Sequence, residues 1–103
     1  MIKYEVNLEI DQNIYEEFRE WLRNHIQEIL NLDGFINAEL YEENDPKNVK
    51  RKLTVSYGLD NLKSLQDYFE QNAVLMRNKT TNKFGDKVKS TRRILELNQA
   101  FEK

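Results

Sequence analysis

Apolar and polar residues alternate without a break from Ile2 to Ile10. Successive strand side chains point to opposite faces, so Ile2, Tyr4, Val6, Leu8 and Ile10 share one face, and Lys3, Glu5, Asn7 and Glu9 the other. The first face must meet a core. The period then changes. Ile14, Phe18, Trp21, Leu22, His25, Ile26, Ile29 and Leu30 recur at spacings of three and four, which predicts an amphipathic helix over about residues 12–31. Asp11 or Asn13 can cap it, and Glu16 and Glu17 suit its positive end. Asp33-Gly34 stops it, with Gly34 fitted to a left-handed conformation.

Alternation returns from Phe35 to Glu42, with Ile36, Ala38 and Leu40 on one side and Phe35, Asn37, Glu39 and Tyr41 on the other. A polar loop, residues 43–48, leads to a third strand over 49–57, and the two strands read as a hairpin. Gly58 is expected to end the third strand and Asp60 to cap a second helix with Leu62, Leu65, Tyr68, Phe69, Ala73 and Met76 on its buried side. Asn72-Ala73 is an expected break, and Thr80-Thr81-Asn82 an expected irregularity by helix propensity. Gly85-Asp86 turns the chain into a fourth strand over 87–97, and residues 98–103 form a tail expected to fray. The predicted core comprises Tyr4, Val6, Leu8, Phe18, Leu22, Ile26, Leu53, Val55, Leu65 and Phe69.

The order βαββαβ implies an α+β, ferredoxin-like domain over residues 1–97: a four-stranded antiparallel sheet with both helices on one face, the first and third strands central and the fourth beside the first. At 103 residues the chain is one domain. It has no cysteine, no signal-peptide pattern and no stretch near the ~20 apolar residues of a membrane span, so a cytoplasmic protein is the expectation. Residues 1–45 carry twelve acids and three bases, residues 46–103 six acids and thirteen bases. Either the second half offers a basic nucleic-acid surface through Lys79, Lys83, Lys87, Lys89, Arg92 and Arg93, or the halves interleave and neutralise each other. A sheet that stacks RNA bases would show aromatics on its exposed central strands. Here Lys3, Glu5, Asn7, Lys52, Thr54 and Ser56 stand there, which argues against that use.

No phosphate loop, nucleophile triad or histidine pair is present, and no metal or cofactor is expected. The face the helices leave bare is polar, with Phe35 and Tyr41 as apolar anchors, and a homodimer would cover it and let Glu39 meet a base of the second copy. His25, one turn after Trp21, is either a core-boundary histidine or an acid–base group.

Trp21-Leu22-Arg23-Asn24-His25-Ile26-Gln27-Glu28-Ile29-Leu30, then Gly34-Phe35, Leu62, Leu65, Tyr68, Leu75-Met76-Arg77, Phe84-Gly85 and Arg93-Ile94-Leu95-Glu96, together with the first strand, resemble a bacterial family of unknown function, DUF4286, over nearly the whole chain. That family is grouped with the dimeric α+β barrels. The resemblance implies the fold and a dimer and carries no activity. The leading expectation is therefore an uncharacterised homodimer that binds a small ligand or is structural. The alternative is a cofactor-independent enzyme, monooxygenase-like or isomerase-like. Its helix–sheet pocket would hold His25 as acid or base and be shaped by Trp21 and Tyr57. Nucleic-acid binding is a second alternative.

Overall fold

The computed structural model describes residues 1–44 and 50–103, so the expected start of the third strand at Val49 and most of the polar loop before it lie outside the described residues. The described elements are β1 (Ile2–Ile10), a 3-10 turn (Gln12–Ile14), α1 (Tyr15–Leu30), β2 (Phe35–Glu42), β3 (Arg51–Leu59), α2 (Leu62–Gln71), α3 (Ala73–Phe84), a second 3-10 turn (Gly85–Lys87) and β4 (Val88–Glu96). The sheet order is β2-β3-β1-β4, every pair antiparallel. This is the ferredoxin-like arrangement the sequence pattern implied.

β1 meets its core on one face only. Tyr4, Leu8 and Ile10 are buried, opposite Tyr57, Leu53 and Arg51 of β3. From α1, Phe18, Leu22, Ile26 and Ile29 pack onto this face, joined by Leu65 and Tyr68 of α2 and by Ala73, Met76 and Phe84 of α3. Two residues of the expected core, Val6 and Phe69, are only half-buried. Phe69 sits at the margin, edge-on to Tyr4 with ring centroids 5.4 Å apart. Val6 faces a hollow.

Several local expectations are corrected. Gly58 lies inside β3, opposite Lys3 and Asn37. A Cβ there would stand 2.3 Å from Asn37 Oδ1, so the missing side chain makes room for the asparagine on the bare face. Phe35 does not lie on that face. A bulge between Phe35 and Asn37 absorbs Ile36 as an extra residue, turning Phe35 toward the helices, where it meets Tyr57 and Tyr68 edge-on at 5.6 and 5.2 Å. Asn61, not Asp60, caps α2: its extended backbone lets Oδ1 accept from the Ser64 amide at 2.9 Å. Asp11 precedes the first turn without a side-chain capping bond. The helix break falls at Asn72, as expected, but Thr80-Thr81-Asn82 stays helical. Thr81 donates back to the Arg77 carbonyl at 3.3 Å, and burial of Met76 and Phe84 on either side outweighs the weak local propensity. Gly34 does take positive φ, at 88°.

The two charged halves interleave. Arg93 donates to both carboxylate oxygens of Glu5 at 3.0 and 3.2 Å. Lys50 lies 3.4 Å from Glu9, Lys83 3.8 Å from Glu17, and Lys79 bonds Glu28. The Glu5 carboxyl is held below its usual range, chiefly by the Arg93 hydrogen bonds. Residues 97–103 adopt no regular element and are exposed.

Candidate functional site

A cavity of about 240 Å³ lies between the helices and the sheet. Its floor comes from the central strands: Tyr4, Val6 and Leu8 of β1, and Val55 and Tyr57 of β3. α1 contributes Phe18, Leu22, His25 and Ile29 to the wall; Tyr68 of α2 and Met76 of α3 complete it. Arg77, Thr80 and Thr81 of α3 and Ser90 and Arg92 of β4 form a polar margin. The floor residues Tyr4 and Tyr57 are buried, whereas Arg77, Thr81, Ser90 and Arg92 are exposed, so the cavity opens between α3 and β4.

The hollow has a sequence cause. The register with β1 puts Val88, Ser90 and Arg92 on the helix side of β4, opposite Ile10, Leu8 and Val6. Where an ordinary core strand would supply branched apolar side chains, β4 supplies a hydroxyl and a guanidinium. Neither fills the space beside Val6.

His25 is 7% exposed and its Nδ1 is buried without a hydrogen-bond partner among the described residues. Burial is the main force pushing its pKa below the ordinary value, opposed by Glu28 and aided by Lys79, so the ring is neutral at pH 7. Trp21 does not line the cavity. Its indole stacks on the imidazole at 4.6 Å and 17° and meets Phe84 edge-on, fixing the His25 ring from behind. Of the three residues expected at a pocket, His25 and Tyr57 line it and Trp21 supports one of them.

Three tyrosine rings cluster where floor meets wall, with Tyr4 6.1 Å from Tyr57 and 6.0 Å from Tyr68. Burial raises the pKa of Tyr57, and raises that of Tyr68 to about 12. The positive charge of Arg92 opposes the shift at both rings, and that of Arg77 opposes it at Tyr68. Arg77 donates to the Tyr4 hydroxyl at 3.3 Å and its guanidinium lies 5.9 Å from the Phe69 ring centre. Arg92 donates to Ser90 Oγ at 2.9 Å. Among the described residues neither arginine pairs with a carboxylate. Tyr4, Tyr68, Arg77 and Ser90 were not singled out as site residues from sequence, and Arg92 was singled out only for a nucleic-acid surface. The available signal was the polar alternation Ser90, Arg92 on a strand whose partner face is apolar.

The bare face of the sheet is a polar ladder. Lys3 bonds Glu39 at 3.2 Å within the chain, and Thr54 donates to Asn7 at 2.8 Å. A broader concavity of about 430 Å³ runs along it past Asn7, Tyr41, Lys52 and Thr91. Tyr41 is 52% exposed there and Leu95, opposite Lys3, 38%. The bases Lys79, Lys83 and Arg93, candidates for a nucleic-acid surface, each meet a carboxylate of the first half. Among the described residues no group of three or more His, Cys, Asp or Glu side chains is placed to hold a metal, and no helix is long and apolar enough to cross a membrane.

The fold is α+β and ferredoxin-like, and solved structures that include antibiotic-biosynthesis monooxygenase proteins share it. A proposed antibiotic biosynthesis monooxygenase from Deinococcus radiodurans is similar with a TM-score of 0.74 at 16% identity, over 99% of this chain and 97% of that one. SnoaB, a cofactor-independent oxygenase from Streptomyces nogalater, gives 0.71 at 14%, over 99% and 98%. An ethyl tert-butyl ether d (ethd) family protein from Bacillus halodurans gives 0.67 at 19%, over 95% and 100%. At these identities the likeness concerns the fold. The chain belongs to the family described as Domain of unknown function (DUF4286), whose model matches residues 1–98. No curated protein matches it.

Proposed function

We propose that this protein is a small-ligand-binding homodimer of the bacterial cytoplasm, and that the ligand sits in the helix–sheet cavity. The observation that carries the reading is a hollow beside Val6 with apolar walls and a few converging polar groups, His25 and the three tyrosines among them. Ligand sites have this composition, while a structural core is filled. The absence of cysteine suits a reducing compartment. Tyr41 and Leu95 on the bare sheet face support self-association.

Filling the hollow tests the binding reading. Toluene at millimolar concentration should shift amide resonances of the wild type, and Val6→Phe should keep the far-UV spectrum and abolish those shifts. Wild-type-like toluene shifts in Val6→Phe, with folding intact, would refute a ligand site at this position.

A second reading, a cofactor-independent oxygenase-like or isomerase-like enzyme, is favoured by one specific observation. His25 lines the cavity and burial favours its neutral form, which makes it the acid–base candidate there. SnoaB, named a cofactor-independent oxygenase, shares the fold. The enzymatic reading requires that His25→Gln lose conversion of a bound ligand while still binding it.

A further inference from the structure

We propose that the cavity is built for a small carboxylic acid, its apolar body inside and its carboxylate between Arg77 and Arg92. The inference rests on the binding reading above and adds the chemical class of the ligand.

Charge comes first. The chain is acidic overall, and most bases near the sheet and helices already meet a carboxylate, as Arg93 does at Glu5 and Lys79 at Glu28. The arginines at the cavity margin do not, among the described residues. They come from different elements, α3 and β4, and line the same opening. Each is held by a neutral group, Arg77 by the Tyr4 hydroxyl and Arg92 by Ser90, which orients a guanidinium without consuming its charge. A guanidinium fork matches a carboxylate in a plane.

Size comes second. The volume of about 240 Å³ exceeds the ~150 Å³ that accommodates benzene in an engineered apolar cavity. One ring with a short side chain fits. The inner wall presents Phe18, Leu22 and Val55 to such a body.

Phosphate is the competing anion. The margin supplies side-chain donors from two arginines, Thr80 and Ser90, and no lysine, since Thr81 already donates to the Arg77 carbonyl. A guanidinium fork also grips phosphate, so phenyl phosphate is the competing ligand in the test.

The test compares 3-phenylpropionate, 3-phenylpropanamide and phenyl phosphate by calorimetry at neutral pH. The wild type should prefer the acid over the amide by about tenfold or more, the effect of hydrogen bonds to a charged group. Arg77→Gln and Arg92→Gln should each bring that ratio down to about threefold or less, while Arg23→Gln, on α1 away from the cavity, keeps it. Equal affinity for acid and amide in the wild type overturns the carboxylate inference and leaves the cavity reading standing. Tighter binding of phenyl phosphate than of the acid also overturns it. Binding of none of these, together with no response to toluene, sinks both readings at once.

Discussion

His25 stands on a cavity wall with its ring pressed by Trp21, and its environment favours the neutral form. The folded chain therefore takes up the imidazole proton less readily than the unfolded chain does. The sign follows. This contribution is fully present above the ordinary value of 6.5 and is lost as pH falls through it toward the depressed folded value. Glu5 and Glu28, held below 4.5 by Arg93 and Lys79, act only further down. Urea unfolding followed by Trp21 fluorescence should show the wild type losing stability between about pH 7.5 and 5 and His25→Gln losing much less. Identical slopes for the two proteins would mean that the imidazole is solvated in the folded state.

At the scale of elements, the turn after α1 is locked to the start of α2. Gly34 has φ of 88°, and a Cβ there would lie 2.5 Å from Ser64 Cβ. Gly85 also has positive φ, 62°, but nothing stands within 4 Å of its would-be Cβ. Alanine at either position meets backbone strain of about 1–3 kcal/mol; only at Gly34 does it also collide. Gly34→Ala should therefore cost clearly more than Gly85→Ala in chemical unfolding. Ser64→Gly in the Gly34→Ala background should recover about 1 kcal/mol or more in a double-mutant cycle. Equal costs for the two alanines would remove the contact. Positive φ at Gly34 was legible in sequence because a glycine directly after an amphipathic run has one common use. So were the strand at Ile2 to Ile10 and the helix stripe from Phe18 to Ile29, where period and burial agree. Two things were not legible. The side on which Phe35 falls depends on a bulge at Ile36 that only pairing with β3 defines. The cavity depends on which alternate residues of β4 face inward, and that is fixed by the pairing of Val6 with Arg92.

As a whole the molecule is a slab 18 Å thick, with extents of 40 and 37 Å in its other directions. Its radius of gyration of 14.4 Å exceeds the ~13 Å of a compact chain of this length, since one sheet face has no layer over it and the last residues extend beyond the strands. A two-fold partner would supply the missing layer, with Tyr41 and Leu95 as anchors in place of the expected Phe35. Glu39 is already engaged by Lys3 in its own chain. Sedimentation equilibrium at micromolar concentration should give twice the 12.4 kDa monomer mass, and Tyr41→Glu should move it toward one. A monomer persisting at high micromolar concentration ends the dimer proposal. The sheet order also sets a schedule for synthesis. β1 takes both its neighbours, β3 and β4, from the second half of the chain. A nascent chain emerging amino end first holds an unpaired apolar strand edge while its twelve acids face three bases. Surplus like charge keeps such an early segment apart from its copies on neighbouring ribosomes. Lys50, directly before β3, and Lys79, Lys83 and Arg93, after it, are bases that discharge it. Early repulsion thus gives way to pairing only when the sheet can form.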